Sequence, residues 1–569
     1  MAMMGQYQGH GSPSSTRFAD ICGTNYAPSK EEIIEIRSLI HDPEEEIRRI
    51  DEEISRLQAR RDELQQFVGR HQRLLSPFRR LPGELWGEVF VRCLPDKHLP
   101  VRRLSEAPLI FTVICRSWRN IALKTPRLWS SLHLALPSPS ITIEGEDLVS
   151  LLECRREGLR LWLERSGTLP LNLSLVMNIP LDQIGSKAES YSNCIGIIAD
   201  YCRRWRTLSL FNIIPSAVSR FQSISPEDLP LLVAFSDVGP QAHRMLPRSQ
   251  TSSAFFETVG NSLSLRKLRT TINPDTGLTL PVRWGHLHLL EIQTHIGLSE
   301  CAPFVQRVVE SSPLLLDCIL LFSIGFSQQS QLSELVAHHQ EWSRLHKLAI
   351  TFDGYVDETF QSIVVDVFET ITTPVLTHLS LSYSVFGTRP DRDRPLPFDG
   401  LITRSGCALK SLELQMSYGT NLQTTLDHLT LLTTLSLSRS SLITYSNANE
   451  PSSIHLDPEV VPTLMASEEL VRCPNIEHLI LRHFHPRRAS TLVDLIESRA
   501  RLTRLKSFVV DFGDIQSKKT TELITSAQAL VKSKELGIEI EWKFRDPFVN
   551  GMEGPYAHFP GADYDSFDL

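Results

Sequence analysis

The chain has 569 residues, of which 41% are hydrophobic and 22% charged, and its formal net charge is -8. This length exceeds what one compact core usually holds, so it predicts several units or one elongated repeat array. The slightly acidic balance gives no general attraction to nucleic acid or to an anionic membrane. The longest apolar run, at 314–326, is interrupted by Asp317 and is shorter than the roughly 20 residues that a membrane span needs.

Neither the N-terminal residues nor the cysteines indicate secretion. The first twenty residues contain no apolar stretch after a basic start, and the ten cysteines are scattered without a C-x-x-C pair. We therefore expect free, mostly buried thiols in a reducing compartment, with a cytoplasmic or nuclear location.

The chain begins with a predicted disordered lead at 1–28, followed by predicted coiled-coil-like helices at 29–76. Ser29 and Glu32 fit a capping box, and Pro43 fits the first position of a second helix, which predicts a break near His41. From residue 33 the apolar residues follow a heptad. The seam positions are Ile33, Ile36, Ile40, Pro43, Ile47, Ile50, Ile54, Leu57, Arg61, Leu64, Val68, His71 and Leu75. The pattern is typical of an arm for self-association, or of a helix that folds back on the rest of the chain.

Short helices with many large apolar residues are predicted at 77–133. Pro82 can begin a helix that places Leu85, Val89 and Phe90 on one face, and a second helix can run from about Pro108. Leu128 and Trp129 would extend the same surface. Apolar groups that short helices cannot bury among themselves usually dock a partner, although the segment could instead be a helical cap on the rest of the chain.

Three blocks in this segment resemble an F-box. They read Leu-Pro-x-Glu-Leu-x-x-x-Val-Phe at 81–90, Ile-Cys-Arg-x-Trp-Arg-x-Ile-Ala at 114–122 and Pro-x-Leu-Trp at 126–129. Together with the heptad region, they are similar to the F-box-like proteins of mushroom-forming fungi. The resemblance implies a non-catalytic adaptor that binds the Skp-type linker of cullin ubiquitin ligases. The residues that match the family's contact positions are Leu81, Pro82, Leu85, Val89, Phe90 and Trp118. The span between the first two blocks is longer than in most F-boxes, and its extra stretch, PDKHLPVRRLSEAP, is predicted to loop out.

A short pattern, apolar-x-x-apolar-x-apolar, recurs after a predicted linker at 134–146. Clear copies include Leu409-Lys-Ser-Leu412-Glu-Leu414 and Leu432-Thr-Thr-Leu435-Ser-Leu437, and weaker ones centre on residues such as Leu268. A strand in every repeat of about thirty residues, with helical stretches such as 301–312 and 358–371 between, is typical of leucine-rich repeats. The overall prediction is an α/β chain whose residues 147–545 form an irregular leucine-rich-repeat solenoid, interrupted at 440–457 and followed by an acidic disordered tail at 546–569.

Residues between the core leucines of such strands face outward and are candidates for contact with a target protein. The predicted target-binding residues are Glu291, Gln293, Ser380, Ser382, Glu413, Gln415 and Arg482. They are mostly neutral and polar, which favours a protein partner over a nucleic-acid backbone. The same positions could equally be solvated strand residues with no partner.

Catalytic and metal-binding motifs are not found in the sequence. It contains no G-x-S-x-G elbow, H-E-x-x-H pair or Walker loop, and the histidine pairs have no cysteine or carboxylate at ligand spacing. A doubly wound α/β enzyme would need a glycine-rich phosphate loop after a strand, and none is present. We therefore expect no enzyme activity, no cofactor and no metal. The leading hypothesis is a substrate receptor of a cullin-type ubiquitin ligase, and the alternative is a coiled-coil scaffold with no role in ubiquitin transfer.

Overall fold

The computed structural model describes 18 stretches of the chain, which form two compact units, Met1–Trp86 and Gly87–Leu569. The described residues are 16–75, 80–137, 146–177, 188–211, 213, 215–238, 253–272, 282–324, 340–356, 360–387, 396–416, 422–439, 457–467, 469–482, 489–514, 525–529, 531–532 and 536–545. The predicted tail at 546–569 lies outside them, as does the predicted interruption at 440–457 up to residue 456.

The first unit is built on one long helix, α1 (Lys30–Leu75), of 46 residues. Its start is the predicted capping box: the Ser29 hydroxyl accepts the Glu32 N–H at 3.3 Å, and the Glu32 carboxylate accepts the Ser29 N–H at 2.8 Å. The predicted break near His41 is wrong, because α1 runs through Pro43. A proline inside a helix removes one hydrogen bond and crowds the carbonyl four residues before it, and the strong helix formers that follow, Glu44, Glu45 and Glu46, offset this cost.

The prediction that 1–28 is disordered is wrong for residues 16–28, while residues 1–15 lie outside the described stretches. Ala19–Ile21 forms a single 3-10 turn, and the Phe18 side chain is only 6% exposed. Phe18 and Ile21 line one cleft with Ile36, Leu39 and Ile40 of α1. These apolar contacts give the short segment a fixed place against the first turns of α1.

Three short helices come before the sheet: α2 (Gly83–Arg92), α3 (Leu109–Ile114) and α4 (Arg116–Leu123). The predicted second helix is thus divided in two at Cys115, whose backbone is extended (φ -157°, ψ 166°). The Cys115 Sγ accepts the Trp118 N–H at 3.4 Å and so caps the start of α4. A turn of 3-10 helix, Pro126–Trp129, leads into the first strand.

A sheet of 14 strands, all parallel, forms the core of the second unit, and its strands pair in chain order. Its strands are β1 (Ser131–Leu136), β2 (Leu171–Met177), β3 (Trp205–Phe211), β4 (Ala234–Val238), β5 (Lys267–Ile272), β6 (Leu289–Ile296), β7 (Asp317–Ile324), β9 (Lys347–Val356), β11 (His378–Gly387), β12 (Ser411–Met416), β13 (Thr434–Arg439), β14 (His478–Arg482), β15 (Ser507–Asp514) and β16 (Glu539–Arg545). The strands β8 (Gln340–Glu341) and β10 (Ile371–Thr372) form a separate pair. The predicted succession of short strands is confirmed.

Leucines on one face of the sheet are in register from strand to strand. Leu412 pairs with Leu435, which pairs with Leu479, and the next column follows the same course two residues later. Within one repeat, Leu432, Leu435 and Leu437 are all almost fully buried. The period of two in a strand sends these leucines to one face and the residues between them to the other.

Helices fill most of the connections between strands. They are α5 (Glu146–Arg165), α6 (Ala188–Gly196), α7 (Ser253–Gly260), α8 (Cys301–Ser311), α9 (Phe360–Glu369), α10 (Asp399–Ser405), α11 (Leu422–His428), α12 (Asp457–Leu464) and α13 (Ala489–Leu502). The helices predicted at 301–312 and 358–371 are confirmed as α8 and α9. In α8 the apolar stripe, including Phe304, Val305 and Val308, is buried as expected for a helix packed on one face.

One of the predicted domain boundaries falls inside a strand. The predicted F-box-like segment ends at residue 133 and the predicted linker starts at 134, but β1 runs from Ser131 to Leu136. Leu134 and Leu136 are buried, so residues 134–136 belong to the sheet core. The sequence PSPS, which suggested a linker, begins only after this strand.

Candidate protein-binding surfaces

Three aromatic side chains hold α2, α3 and α4 together. The Phe90 ring stacks on Phe111 with centroids 4.2 Å apart, and its centroid is 5.0 Å from that of Trp118. The Phe111 and Trp118 rings meet edge-on at 6.1 Å. Phe90 is only 1% exposed, so it stabilises the helices from inside, although the sequence predicted it as a partner contact. Trp118 is half-buried.

Aliphatic side chains of the same helices remain in solvent. Leu85 and Val89, one helical turn apart on α2, are 50% and 42% exposed. On α3, Val113 and Ile114 are each 52% exposed. Of the other predicted contact residues, Pro82 is exposed and Leu81 half-buried. Short helices whose internal packing is complete, and which still expose aliphatic groups, present a surface suited to a partner.

Leu128 and Trp129 do not extend that surface, contrary to prediction, because both are fully buried. The Trp129 ring packs edge-on against Trp162 of α5, with centroids 4.9 Å apart, and its indole N–H donates to the Ala122 carbonyl at 2.9 Å. Strand β1 begins just after these two residues and so places them against the sheet. They therefore connect the small helices to the sheet core.

Two residues of the stretch expected to loop out, Pro100 and Val101, lie at the sheet edge. The His133 N–H of β1 donates to the Pro100 carbonyl at 2.8 Å, and Val101 forms a parallel bridge with His133. The Arg102 guanidinium donates to the Arg155 carbonyl of α5 at 3.1 Å. An edge strand presents backbone donors and acceptors that need partners, and this stretch satisfies some of those of β1.

The predicted target-binding residues lie on the sheet face opposite the leucines, in two rows across the strands. Register pairs Ser380 with Glu413 in the first row and Ser382 with Gln415 in the second. In that second row, Ser438 of β13 pairs with both Gln415 and Arg482. The seven residues are part-exposed apart from Gln293, which is buried.

The seven predicted target-binding residues lie in two separate groups on the sheet. Ser380, Ser382, Glu413, Gln415 and Arg482 belong to β11, β12 and β14, whereas Glu291 and Gln293 belong to β6. In the strands between, β7 and β9, the corresponding row positions are Ile319, Leu321, Ala349 and Thr351. A mainly apolar strip therefore separates the two polar groups.

Charges in both groups are neutralised within the sheet face. The Arg482 guanidinium and the Glu413 carboxylate lie 3.0 Å apart across β13, and Ser382 donates to the Gln415 side chain. In the other group, Arg269 of β5 and Glu291 are 2.5 Å apart. Burial raises the pKa of Glu291, and the neighbouring Arg269 opposes that rise.

Arg269 was missed by the sequence analysis as a member of the outward face. It follows Leu268, the centre of a weaker copy of the repeat, so the same alternation places it outward. The signal was present, but this copy has Thr270 at the third apolar position of the pattern, which makes it harder to recognise.

An acidic residue occupies a leucine position in the inward column. Asp237 of β4 pairs in register with Leu210 of β3 and Thr270 of β5. Burial raises the pKa of the Asp237 carboxyl to about 7. An ionised carboxylate at such a place disfavours the folded state unless it is compensated.

Metal-binding groups and membrane-spanning helices are both absent from the described stretches. They contain no group of three or more His, Cys, Asp or Glu side chains placed to hold a metal ion. None of the helices described is long and apolar enough to cross a membrane. Comparison of the sequence with known protein-family models and with curated proteins gives no match.

Proposed function

We propose that this chain is a non-catalytic substrate receptor of a cullin-type ubiquitin ligase. In this proposal the segment from 81 to 118 binds a Skp-type linker protein, and the sheet binds a target protein. The chain would act by proximity, because it raises the effective concentration of its target near a ubiquitin-carrying enzyme held elsewhere in the assembly.

The observation that carries the proposal is the difference in burial between Phe90 and the exposed residues Leu85 and Val89 on the same helix. Phe90, Phe111 and Trp118 complete the internal packing of α2–α4, while Leu85 and Val89 remain about half exposed. Leaving aliphatic groups in water gains no folding free energy, whereas covering them with a partner removes apolar area from water. The F-box resemblance of the same residues names the class of partner.

The same proposal includes the assignment of the sheet to a leucine-rich-repeat solenoid. Strands that pair in chain order, most of them with a leucine motif and most followed by a helical stretch, support a divergent leucine-rich-repeat solenoid. In such an array the face opposite the leucines is available for binding. We assign the target contact to that face, with Glu413, Gln415 and Arg482 near the centre of its larger polar group.

The decisive experiment is co-purification with a Skp-type linker and a cullin. The full chain is expected to retain both, and Leu85→Asp and Val89→Asp are each expected to lose them, because a charge would be buried at the contact. Phe90→Asp is unsuitable, since it would disrupt the internal packing of the helices.

Leu431→Asp is the matched control, because it places the same charge on another exposed leucine, 56% exposed, next to β13. This variant should retain the linker. The proposal is abandoned if the wild-type chain captures no linker, or if the α2 variants bind as well as the control.

A coiled-coil scaffold without ubiquitin transfer is the second candidate. The exposed aliphatic residues along α1 favour it, because such a helix face commonly pairs with another helix. The two candidates differ in whether a cullin co-purifies with the chain.

A further inference from the structure

Helix α1 carries an apolar stripe that its own unit leaves uncovered over most of its length. Near the start of the helix, Phe18 and Ile21 line a cleft with Ile36, Leu39 and Ile40. Beyond them, five stripe residues are between 46% and 57% exposed. These residues are Ile47, Ile50, Ile54, Leu57 and Leu64. They occupy alternating heptad positions, which is the spacing of a two-helix seam.

Charges along the helix are unevenly distributed. The positions directly beside the seam are acidic in the first half of the stripe, whereas in the second half they carry no acid and one arginine. They are Glu44, Glu46, Asp51 and Glu53 in the first half, and Gln58, Arg60, Gln65 and Phe67 in the second. One copy of the helix therefore complements a second copy only when the two run in opposite directions.

We propose that α1 pairs antiparallel with α1 of a second copy of this chain. The heptad register sets Ile54 against Leu57 of the other copy and Ile47 against Leu64. The same register sets Arg61 against Ile50 of the other copy, where its aliphatic stem can cover the isoleucine while the guanidinium reaches solvent.

A parallel, in-register pair would be opposed by the same residues. It would place Arg61 against Arg61 in the seam and Glu46 beside Asp51 at the flank, both like-charged contacts. In the antiparallel pair, Glu53 lies beside Arg60 of the other copy, and this contact occurs twice by symmetry.

The ion pairs that Glu53 and Arg60 form within their own helix do not prevent them from pairing with the other copy. Glu53 lies 2.6 Å from Arg56, and Arg60 lies 2.5 Å from Glu63, with side chains that are largely exposed. Ion pairs in solvent contribute little to stability, so the residues can change partners on association.

The first test is the mass of the full chain in solution, measured by analytical ultracentrifugation at micromolar concentration. We expect a dimer. The double variant Ile54→Glu/Leu57→Glu should be a monomer, and Ser55→Glu, on the opposite side of the helix, should remain a dimer. Circular dichroism should show unchanged secondary structure in both variants. A monomeric wild type, a species larger than a dimer, or a dimer that persists in the double variant overturns the proposal.

The second test addresses direction. Glu53→Arg should weaken the dimer about tenfold, because the introduced guanidinium would then face Arg60 of the other copy. The exchange Glu53→Arg/Arg60→Glu should restore it, although it leaves like charges at both intrahelical pairs. A parallel pair places glutamines beside both positions, so the exchange would give no recovery and the antiparallel arrangement would be refuted.

Discussion

Aliphatic side chains recur at a fixed spacing both in α1 and in the strands of the sheet, but only the sheet buries them. Leu435 of β13 is fully buried, whereas Ile54 of α1 is 46% exposed. Each inner strand lies between two others and presents its leucine face to the helical connections of its own chain. The exposed stretch of α1 meets no comparable surface within its own unit. Spacing therefore decides which residues share a face, and burial depends on what the chain supplies opposite that face.

Helix α2 contains a buried apolar residue and an exposed one side by side. Phe90 is covered by the rings of Phe111 and Trp118, while Val89 beside it is 42% exposed. A helix directs neighbouring residues about 100° apart, so one faces the internal packing and the other faces solvent. This difference between internally covered and uncovered apolar groups predicts three effects on stability, of decreasing size.

The largest effect is expected in α2. Phe90→Ala should lower the free energy of unfolding by about 3–5 kcal/mol, because it removes the ring at the centre of the aromatic group and leaves a cavity. Val89→Ala should change it by less than about 1 kcal/mol, because the side chain is already half in water. Urea denaturation of the two variants measures both values. Equal losses would mean that Phe90 is not internal.

The second comparison sets the sheet against α1. Leu435→Ala should lower the free energy of unfolding by about 2–5 kcal/mol, since all surrounding atoms are already packed. Ile54→Ala should cost less than about 1 kcal/mol when the chain is dilute enough to be a monomer. Thermal unfolding followed by circular dichroism, at low protein concentration, distinguishes them. If Ile54→Ala proves as harmful as Leu435→Ala, α1 is covered by its own chain.

The smallest of the three effects concerns Asp237, a polar residue at a covered position. Its folded-state pKa, about 7, is above the ordinary value of 3.8, so the unfolded state binds fewer protons between these values and stability falls as pH rises through that range. The whole shift corresponds to about 4 kcal/mol, and we expect about half of it because the Asp237 residue is partly exposed to solvent. Asp237→Asn should therefore raise the free energy of unfolding by about 2 kcal/mol near pH 8 and by little near pH 4.

Melting temperatures recorded across this pH range provide the measurement. Asp494→Asn, at an exposed position of α13, is the matched control and should change the melting temperature little. A gain that is the same at both pH values would contradict the assignment to the Asp237 carboxyl.

Much of the secondary structure could be predicted from local sequence. The capping box at Ser29, the helices α8 and α9, and the strands at the leucine motifs all follow from side-chain chemistry within a few residues. The outward placement of Glu413 and Gln415 follows from the same alternation, because the period of a strand is a property of its backbone.

What the sequence could not provide are the contacts between residues distant along the chain. Tertiary packing covers Phe90 and Trp129 and places Val101 at the edge of β1. The pairing of strands also puts an apolar strip between Glu291 and Glu413. Local sequence, in contrast, is sufficient to tell which residues share a face of each element. Whether a face is buried depends on surfaces that fold against it from elsewhere, and that free energy is not encoded in any single segment.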